Sequence, residues 1–196
     1  MRRTTTYTLA AIPLLVIGVL IAAGALMVRT VDAHFVPAPC DFITGGGWVI
    51  GDSGAKVNFG AHGGCKHGAF WGHVNVLDHT TSPPGHLKST EITGYLMDPA
   101  GPPTARDICG IGEVTYNGST YTNVPFRVRM QDNGEPGGDD RFGVRTPGYD
   151  LHTRELGPPG PTGGGGNIQL HKPNPSTTGP SPAPSEDEMC HGLATP

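Results

Sequence analysis

Apolar and polar residues alternate with a period of two through most of the chain. A polar residue separates Val57 from Phe59, and single arginines separate Phe126, Val128 and Met130. Such alternation is typical of strands with one face buried and the other face in water. The pattern predicts about eight or nine short strands and no long helix in the body of the chain.

Turn signals between these segments favour an antiparallel arrangement. Asn117-Gly118 lies between two short β-patterned runs and predicts a hairpin. Two layers of strands must pack face to face to bury the valines, the phenylalanines, Trp48 and Trp71. The predicted fold class is therefore all-β, an antiparallel β-sandwich of jelly-roll type that spans residues 34–173.

The two ends of the chain differ in composition from the body. Residues 1–33 begin with Arg2 and Arg3, continue as an uncharged apolar run and end in small residues at Ala33. This layout indicates an export signal peptide, or an uncleaved signal-anchor helix, because the run is about long enough to span a bilayer. Both alternatives place the body outside the cytoplasm, at the cell surface or in the medium. Residues 174–196 are rich in proline and serine, which predicts a disordered tail.

Composition supports the strand-rich interpretation and excludes one class of partner. The 196 residues include 31 glycines and 20 prolines, which are costly inside helices but suit turns between strands. The net charge of −4 comes without a basic stripe. Nucleic acid is therefore not an expected partner, and contact with a membrane is expected only through the N-terminal segment.

The chain has four cysteines, at Cys40, Cys65, Cys109 and Cys190. Outside the cytoplasm they are expected to form disulfides, and the absence of a CxxC pair argues against a zinc ribbon. Three pairings are possible. We favour Cys65 with Cys109, because both lie in the β-patterned region, which leaves Cys40 to join Cys190.

An acidic, glycine-rich segment, DNGEPGGDDRF at residues 132–142, lies between two predicted strands. Its carboxylates are Asp132, Glu135, Asp139 and Asp140. Like charges this close require compensation, either by a bound calcium ion or by nearby arginines. The candidate arginines are Arg127, Arg129, Arg141 and Arg145. The segment fails the EF-hand pattern, so a structural turn is the competing hypothesis to the calcium site.

Histidines and large aromatic residues form two further candidate groups. The histidines are His62, His67, His73, His79 and His86. Their spacing matches no common zinc motif, so surface or turn histidines that hydrogen-bond locally are expected, and a zinc or copper site is the alternative. The aromatic residues are Trp48, Phe70, Trp71 and Tyr95. Core packing is expected for them, and a sugar-stacking platform is the alternative.

Six segments resemble the post-COAP-1 type of domain in bacterial secreted and surface proteins. They are ITGGGW (43–48), KVNFG (56–60), LDH (77–79), STEITGY (89–95), FRVRMQDNGEPGGDDRFGVR (126–145) and GGGGNIQLHK (163–172). Together they cover nearly the whole body in a consistent order. The resemblance implies an exported all-β module and carries no catalytic residues with it.

The expected function is that of a non-catalytic exported module. Motifs for serine hydrolases, zinc proteases and phosphate-binding loops do not occur in the sequence. The first hypothesis is a structural or interaction role at the cell surface, with a cell-envelope protein as partner. The alternatives are a glycan- or cation-binding module of the same fold and, third, a metal-dependent hydrolase.

Overall fold

A computed structural model describes residues 34–157 and 165–196 of the chain. The predicted signal peptide or anchor lies outside the described residues. Within them, no helix combines the length and apolar character needed to cross a membrane.

Nine strands and one short helix make up the described structure. The strands are β1 (Phe42–Ile50), β2 (Lys56–Lys66), β3 (Ala69–Asp78), β4 (Gly85–Leu96), β5 (Ala105–Tyr116), β6 (Ser119–Gln131), β7 (Arg141–Thr146), β8 (Tyr149–Glu155) and β9 (Gly166–His171), and the helix is α1 (Glu186–Cys190). The all-β, antiparallel prediction is confirmed. Sequence analysis missed β8, whose residues include four that are charged or histidine.

All nine strands belong to one antiparallel sheet in the order β8-β7-β6-β5-β4-β3-β2-β1-β9. The first eight strands form a meander, and β9 returns to pair with β1, so that Ile168 lies opposite Gly45. The sheet is strongly curled. Phe59 on β2 stacks on Phe142 on β7 with ring centroids 3.9 Å apart, although β3 to β6 separate them in the sheet.

The concave face of the curled sheet encloses the main core. Its largest fully buried side chains include Tyr95, Phe126, Phe142, Ile43, Ile108 and Met130. At the end of the sheet where β1 begins, a buried polar group completes this core. Asp41 accepts hydrogen bonds from the Tyr95 hydroxyl at 2.6 Å and from Nη2 of Arg106 at 2.6 Å. Burial and the Asp41 carboxylate raise the pKa of Tyr95.

The C-terminal segment packs against the convex face of the sheet, so the prediction of a disordered tail at 174–196 is wrong. Ser185 caps α1, where its hydroxyl accepts the Glu188 amide and Glu188 reaches back to the Ser185 amide. Met189 on α1 packs with Leu96 of β4 in a second small core. The tail is ordered because it covers apolar and charged groups that the curled sheet leaves on its outside.

Both disulfides form, but the predicted pairing of the cysteines is wrong. Cys40 bonds to Cys65, and Cys109 bonds to Cys190. Cys65 belongs to the main core on the concave face, whereas Cys109 belongs to the second core on the convex face. Alternation within a strand does not reveal which face of the sheet each strand's apolar set will occupy, so two cysteines in separate strands could not be assigned to a common face.

Candidate functional site

The acidic segment 132–142 contains the connection between β6 and β7 and the first two residues of β7. The connection contacts the free edge of β9. Asp140 accepts the backbone N–H of Ile168 at 2.6 Å, and Asp132 accepts that of Leu170 at 2.8 Å. Both donors point away from β1, and an edge strand otherwise leaves such groups unpaired. The carboxylates therefore join the two ends of the curled sheet.

Backbone amides, rather than arginines, stabilise these carboxylates. None of the four candidate arginines forms an ion pair with the acidic segment in the described part of the chain; Arg127 and Arg129, for example, contact Asp107. The prediction of arginine compensation is wrong for this reason. Burial raises the pKa of Asp140, and hydrogen bonds from the amides of Asn133 and Ile168 oppose that rise.

The four proposed ligands of calcium lie near one another, and three of them bond to β9. Glu135 accepts a hydrogen bond from the Asn167 side chain at 3.2 Å, and Asp139 is exposed. Among residues 34–157 and 165–196, no three or more histidine, cysteine, aspartate or glutamate side chains are placed to hold a metal ion. The calcium site remains a prediction, and the hydrogen bonds give Asp132 and Asp140 a structural role.

Replacement of Asp140 by alanine is expected to lower the free energy of unfolding by about 2 kcal/mol, because two backbone donors lose their acceptor. The donors are the amides of Asn133 and Ile168. Urea denaturation measures the change. Asp139→Ala is the matched control, since this neighbouring carboxylate is exposed. Equal losses in the two variants would contradict the role assigned to Asp140.

Three of the histidines, His62, His73 and His86, lie on strands rather than in turns and contact the neighbouring strand. His62 and His73 face each other across β2 and β3 with ring centroids 6.3 Å apart. Burial, and secondarily the His73 ring, lower the pKa of His62. His86 bonds to the Asn75 side chain at 2.5 Å. These contacts stabilise neighbouring strands and leave the histidines dispersed over the sheet.

The four candidate aromatic residues do not form one platform. Tyr95 is fully buried, so it is not accessible to a sugar. Trp48 is half-buried, and the Lys56 ammonium lies 4.2 Å from its ring centroid. Trp71 is half-buried beside Phe42, 6.0 Å away between ring centroids.

A cavity of about 670 Å³ opens at the end of the sheet opposite the acidic segment. It lies where β1 turns into β2, β3 into β4, β5 into β6 and β7 into β8. Its deeper walls come from six apolar side chains on six strands: Val76, Leu87, Val114, Val124, Val144 and Leu151. The four separate connections together form the mouth.

The cavity exists because large and small side chains are distributed unequally along the strands. Phe59, Phe126 and Phe142 fill the concave face further along the strands. Toward the mouth the same strands carry Val57, Val124 and Val144. Valines have too little volume to reach across the curled sheet, so space remains between them.

Tyrosines and carboxylates surround the mouth of the cavity. Tyr116 and Tyr121 are 50% and 57% exposed, unusual values for aromatic side chains. Tyr149 lies deeper, where burial and the negative charge of Asp78 raise the pKa of its phenol. Asp78 accepts a hydrogen bond from the amide of Thr80 at 2.8 Å. The mouth therefore combines aromatic surface with a carboxylate held in a fixed position.

The other two carboxylates of the mouth are neutralised by arginines behind them. Asp52 accepts a hydrogen bond from Arg154 at 2.6 Å, and Asp150 pairs with Arg145. Asp78 has no Lys, Arg or His within 4.0 Å in the part of the chain that the structure describes. The lining itself contains no lysine or arginine. Within the described lining, Asp78 is therefore the carboxylate that has no ion-pair partner.

Two polar side chains of the lining are hydrogen-bonded to neighbouring residues. The serine of the lining, Ser53, bonds to Thr80 at 2.9 Å, and His86 bonds to Asn75. Neither pair joins a nucleophile to a base. Sequence analysis missed the cavity because its residues come from four connections that no motif links.

Comparison with known proteins gives no further guidance. No protein-family model matches the chain, no curated protein matches it, and no solved structure matches it. The resemblance to post-COAP-1 domains therefore remains a prediction.

Proposed function

We propose that the protein is an exported, non-catalytic binding module that holds a small, mainly apolar ligand in the cavity between β3 and β8. The curled sheet acts as a sandwich-like scaffold in which opposed layers form the walls. The observation that carries this proposal is the cavity of about 670 Å³ with its six apolar wall residues.

Size and surface both support a small ligand. Binding sites for small molecules typically enclose about 300–1,000 Å³ and have mostly apolar walls with few polar groups. Burial of apolar ligand surface is favourable by about 25 cal/mol per Å² before the costs of association. The polar groups at the mouth, among them Asp78 and Tyr149, would set the orientation of the ligand.

Two disulfides support the exported location. They join Cys40 to Cys65 and Cys109 to Cys190, and structural disulfides persist mainly outside the cytoplasm. An interaction at the cell surface with a cell-envelope protein or a glycan remains compatible with this location.

Binding of a neutral apolar dye tests the proposal. N-phenyl-1-naphthylamine is expected to gain fluorescence when the folded protein is added, because the cavity removes the dye from water. Val124→Trp places an indole in the cavity and is expected to weaken dye binding about tenfold, since the added ring occupies the space the dye requires.

Thr122→Trp is the matched control, because Thr122 lies on the same strand, is exposed and does not line the cavity. Circular dichroism verifies that both variants are folded. If the wild-type protein fails to bind the dye, or if Val124→Trp binds it as tightly as the control does, the proposed function is wrong.

A further inference from the structure

The mouth of the cavity carries negatively charged side chains, whereas the deeper walls are apolar. Its lining includes three carboxylates, on Asp52, Asp78 and Asp150, and no lysine or arginine. Because Arg154 and Arg145 neutralise Asp52 and Asp150, the charge that remains to be satisfied is that of Asp78.

Aromatic rings are placed close to this carboxylate. A β-carbon at Gly85 would lie 3.5 Å from Cδ2 of Tyr116 and 3.8 Å from Cβ of Asp78, so these two side chains flank the same glycine. Tyr149 and Tyr121 also line the mouth, as does Asp78 itself. A carboxylate among tyrosine rings is the environment that binds alkylammonium groups, since the ring faces and the carboxylate both attract positive charge.

We propose that the ligand is a cationic amphiphile, whose apolar chain occupies the cavity and whose ammonium group lies at the mouth against Asp78 and the tyrosines. This inference rests on the proposed function and adds the charge of the ligand to it. An anionic amphiphile of the same length would place its head group against Asp78 and would be rejected, because like charges at short range repel.

The exposure of Tyr116 and Tyr121 fits this assignment. Both are on the hairpin between β5 and β6, and half or more of each side chain's surface is in water. Together they provide ring surface at the entrance, where a head group that retains part of its hydration would stay. The apolar walls formed by Val124 and Val144 lie further in and would contact the chain.

Competition between three ten-carbon amphiphiles tests the inference. The assay measures how well each amphiphile displaces N-phenyl-1-naphthylamine from the protein. The three amphiphiles are decyltrimethylammonium, 1-decanol and decanoate, each used below the concentration at which it aggregates. We expect decyltrimethylammonium to displace the dye at about one tenth of the concentration that 1-decanol requires, and decanoate to be the weakest competitor.

Asp78→Asn removes the charge and keeps an oxygen that accepts the hydrogen bond from Thr80. In this variant we expect the preference for decyltrimethylammonium over 1-decanol, measured as the ratio of the two displacing concentrations, to fall about tenfold. Asp187→Asn is the control, because Asp187 is exposed on α1 and makes the same change of charge away from the cavity.

The outcomes separate the inference from the proposed function. If 1-decanol and the dye bind but decyltrimethylammonium is not preferred, or if Asp78→Asn leaves the preference unchanged, the cationic assignment is wrong and the apolar cavity stands. If neither the dye nor any of the three amphiphiles binds, the proposed function itself is wrong.

Discussion

Replacement of both Cys109 and Cys190 by alanine is expected to lower the free energy of unfolding by about 4.5 kcal/mol. The two residues are 81 positions apart, so their disulfide closes a long loop and strongly restricts the unfolded chain. It also fixes α1 against the convex face, where Met189 and Leu96 are buried. Urea denaturation of the oxidised protein measures the change. The unfolding curves from circular dichroism and from tryptophan fluorescence should coincide, which verifies two-state unfolding.

The second disulfide provides the matched comparison. Cys40 and Cys65 are 25 positions apart, and the same chain-entropy argument gives about 3.5 kcal/mol for their replacement by alanine. The longer loop should therefore cost more by about 1 kcal/mol. A larger loss from the Cys40 and Cys65 variant would show that packing, rather than loop closure, dominates the contribution of the disulfides.

The strands were predictable because each carries its own signal. Val57 with Phe59, and Phe126 with Val128 and Met130, alternate as a half-buried strand requires, and all five are buried on the concave face. The hairpin between β5 and β6 follows from Asn117 and Gly118, which adopt positive φ angles of 50° and 77°. These features depend on neighbours in sequence, so one sequence is sufficient to reveal them.

Relations between distant segments were not predictable in the same way. The pairing of β9 with β1 joins residues more than 100 positions apart, such as Ile168 and Gly45. The contacts of Asp140 and Asp132 with the free edge of β9 join residues 28 and 38 positions apart. The acidic segment resembled a cation site because the sequence shows its carboxylates. The backbone amides that bind these carboxylates cannot be identified from the sequence, since almost every residue has one. The charge pattern therefore identified the important residues but not their partners.

The order of the C-terminal segment 174–196 also depends on contacts with residues that are distant in sequence. Its many prolines suggested disorder, yet Pro180 and Pro184 lie over the gap between β3 and β4. Short apolar and acidic segments at its end, including Glu186 and Met189, find partners that the body of the chain presents on its convex face. A segment with little to bury by itself can still be ordered when it covers the surface of another segment.

One end of the sheet is closed, and the other end holds the proposed binding cavity. The end near Asp41, Arg106 and the acidic segment is closed by buried hydrogen bonds, and both disulfides lie toward it. The other end has valines, exposed tyrosines and an open cavity. Rigid closure at one end lets the mouth at the other end stay open without collapse, which is the arrangement a preformed binding cavity needs.

Arg127→Met is expected to lower the free energy of unfolding by about 3–5 kcal/mol, because it leaves a buried carboxylate with one cationic partner fewer. Nε of Arg127 donates to Asp107 at 2.9 Å and Nη1 donates to Glu186 at 2.7 Å, and Arg127 is 1% exposed. Asp107 is fully buried and would retain Arg129, with His34 at 3.6 Å and Thr195 at 3.4 Å as more distant partners. The arginine thus joins the sheet to α1 without any covalent bond.

Two readouts distinguish this effect from a general loss of packing. Arg141→Met is the control, since the pair between Arg141 and Glu155 is exposed and contributes less than about 1 kcal/mol.

The second readout is the pH dependence of the free energy of unfolding. Although burial opposes it, Arg127 lowers the pKa of Glu186 below its ordinary value of 4.5, so this contribution is present above that pH and is lost as the pH falls through the lowered pKa. Arg127→Met should therefore be less sensitive to acid than the wild type, and an unchanged acid sensitivity, or a loss no greater than that of Arg141→Met, would contradict the role assigned to Arg127.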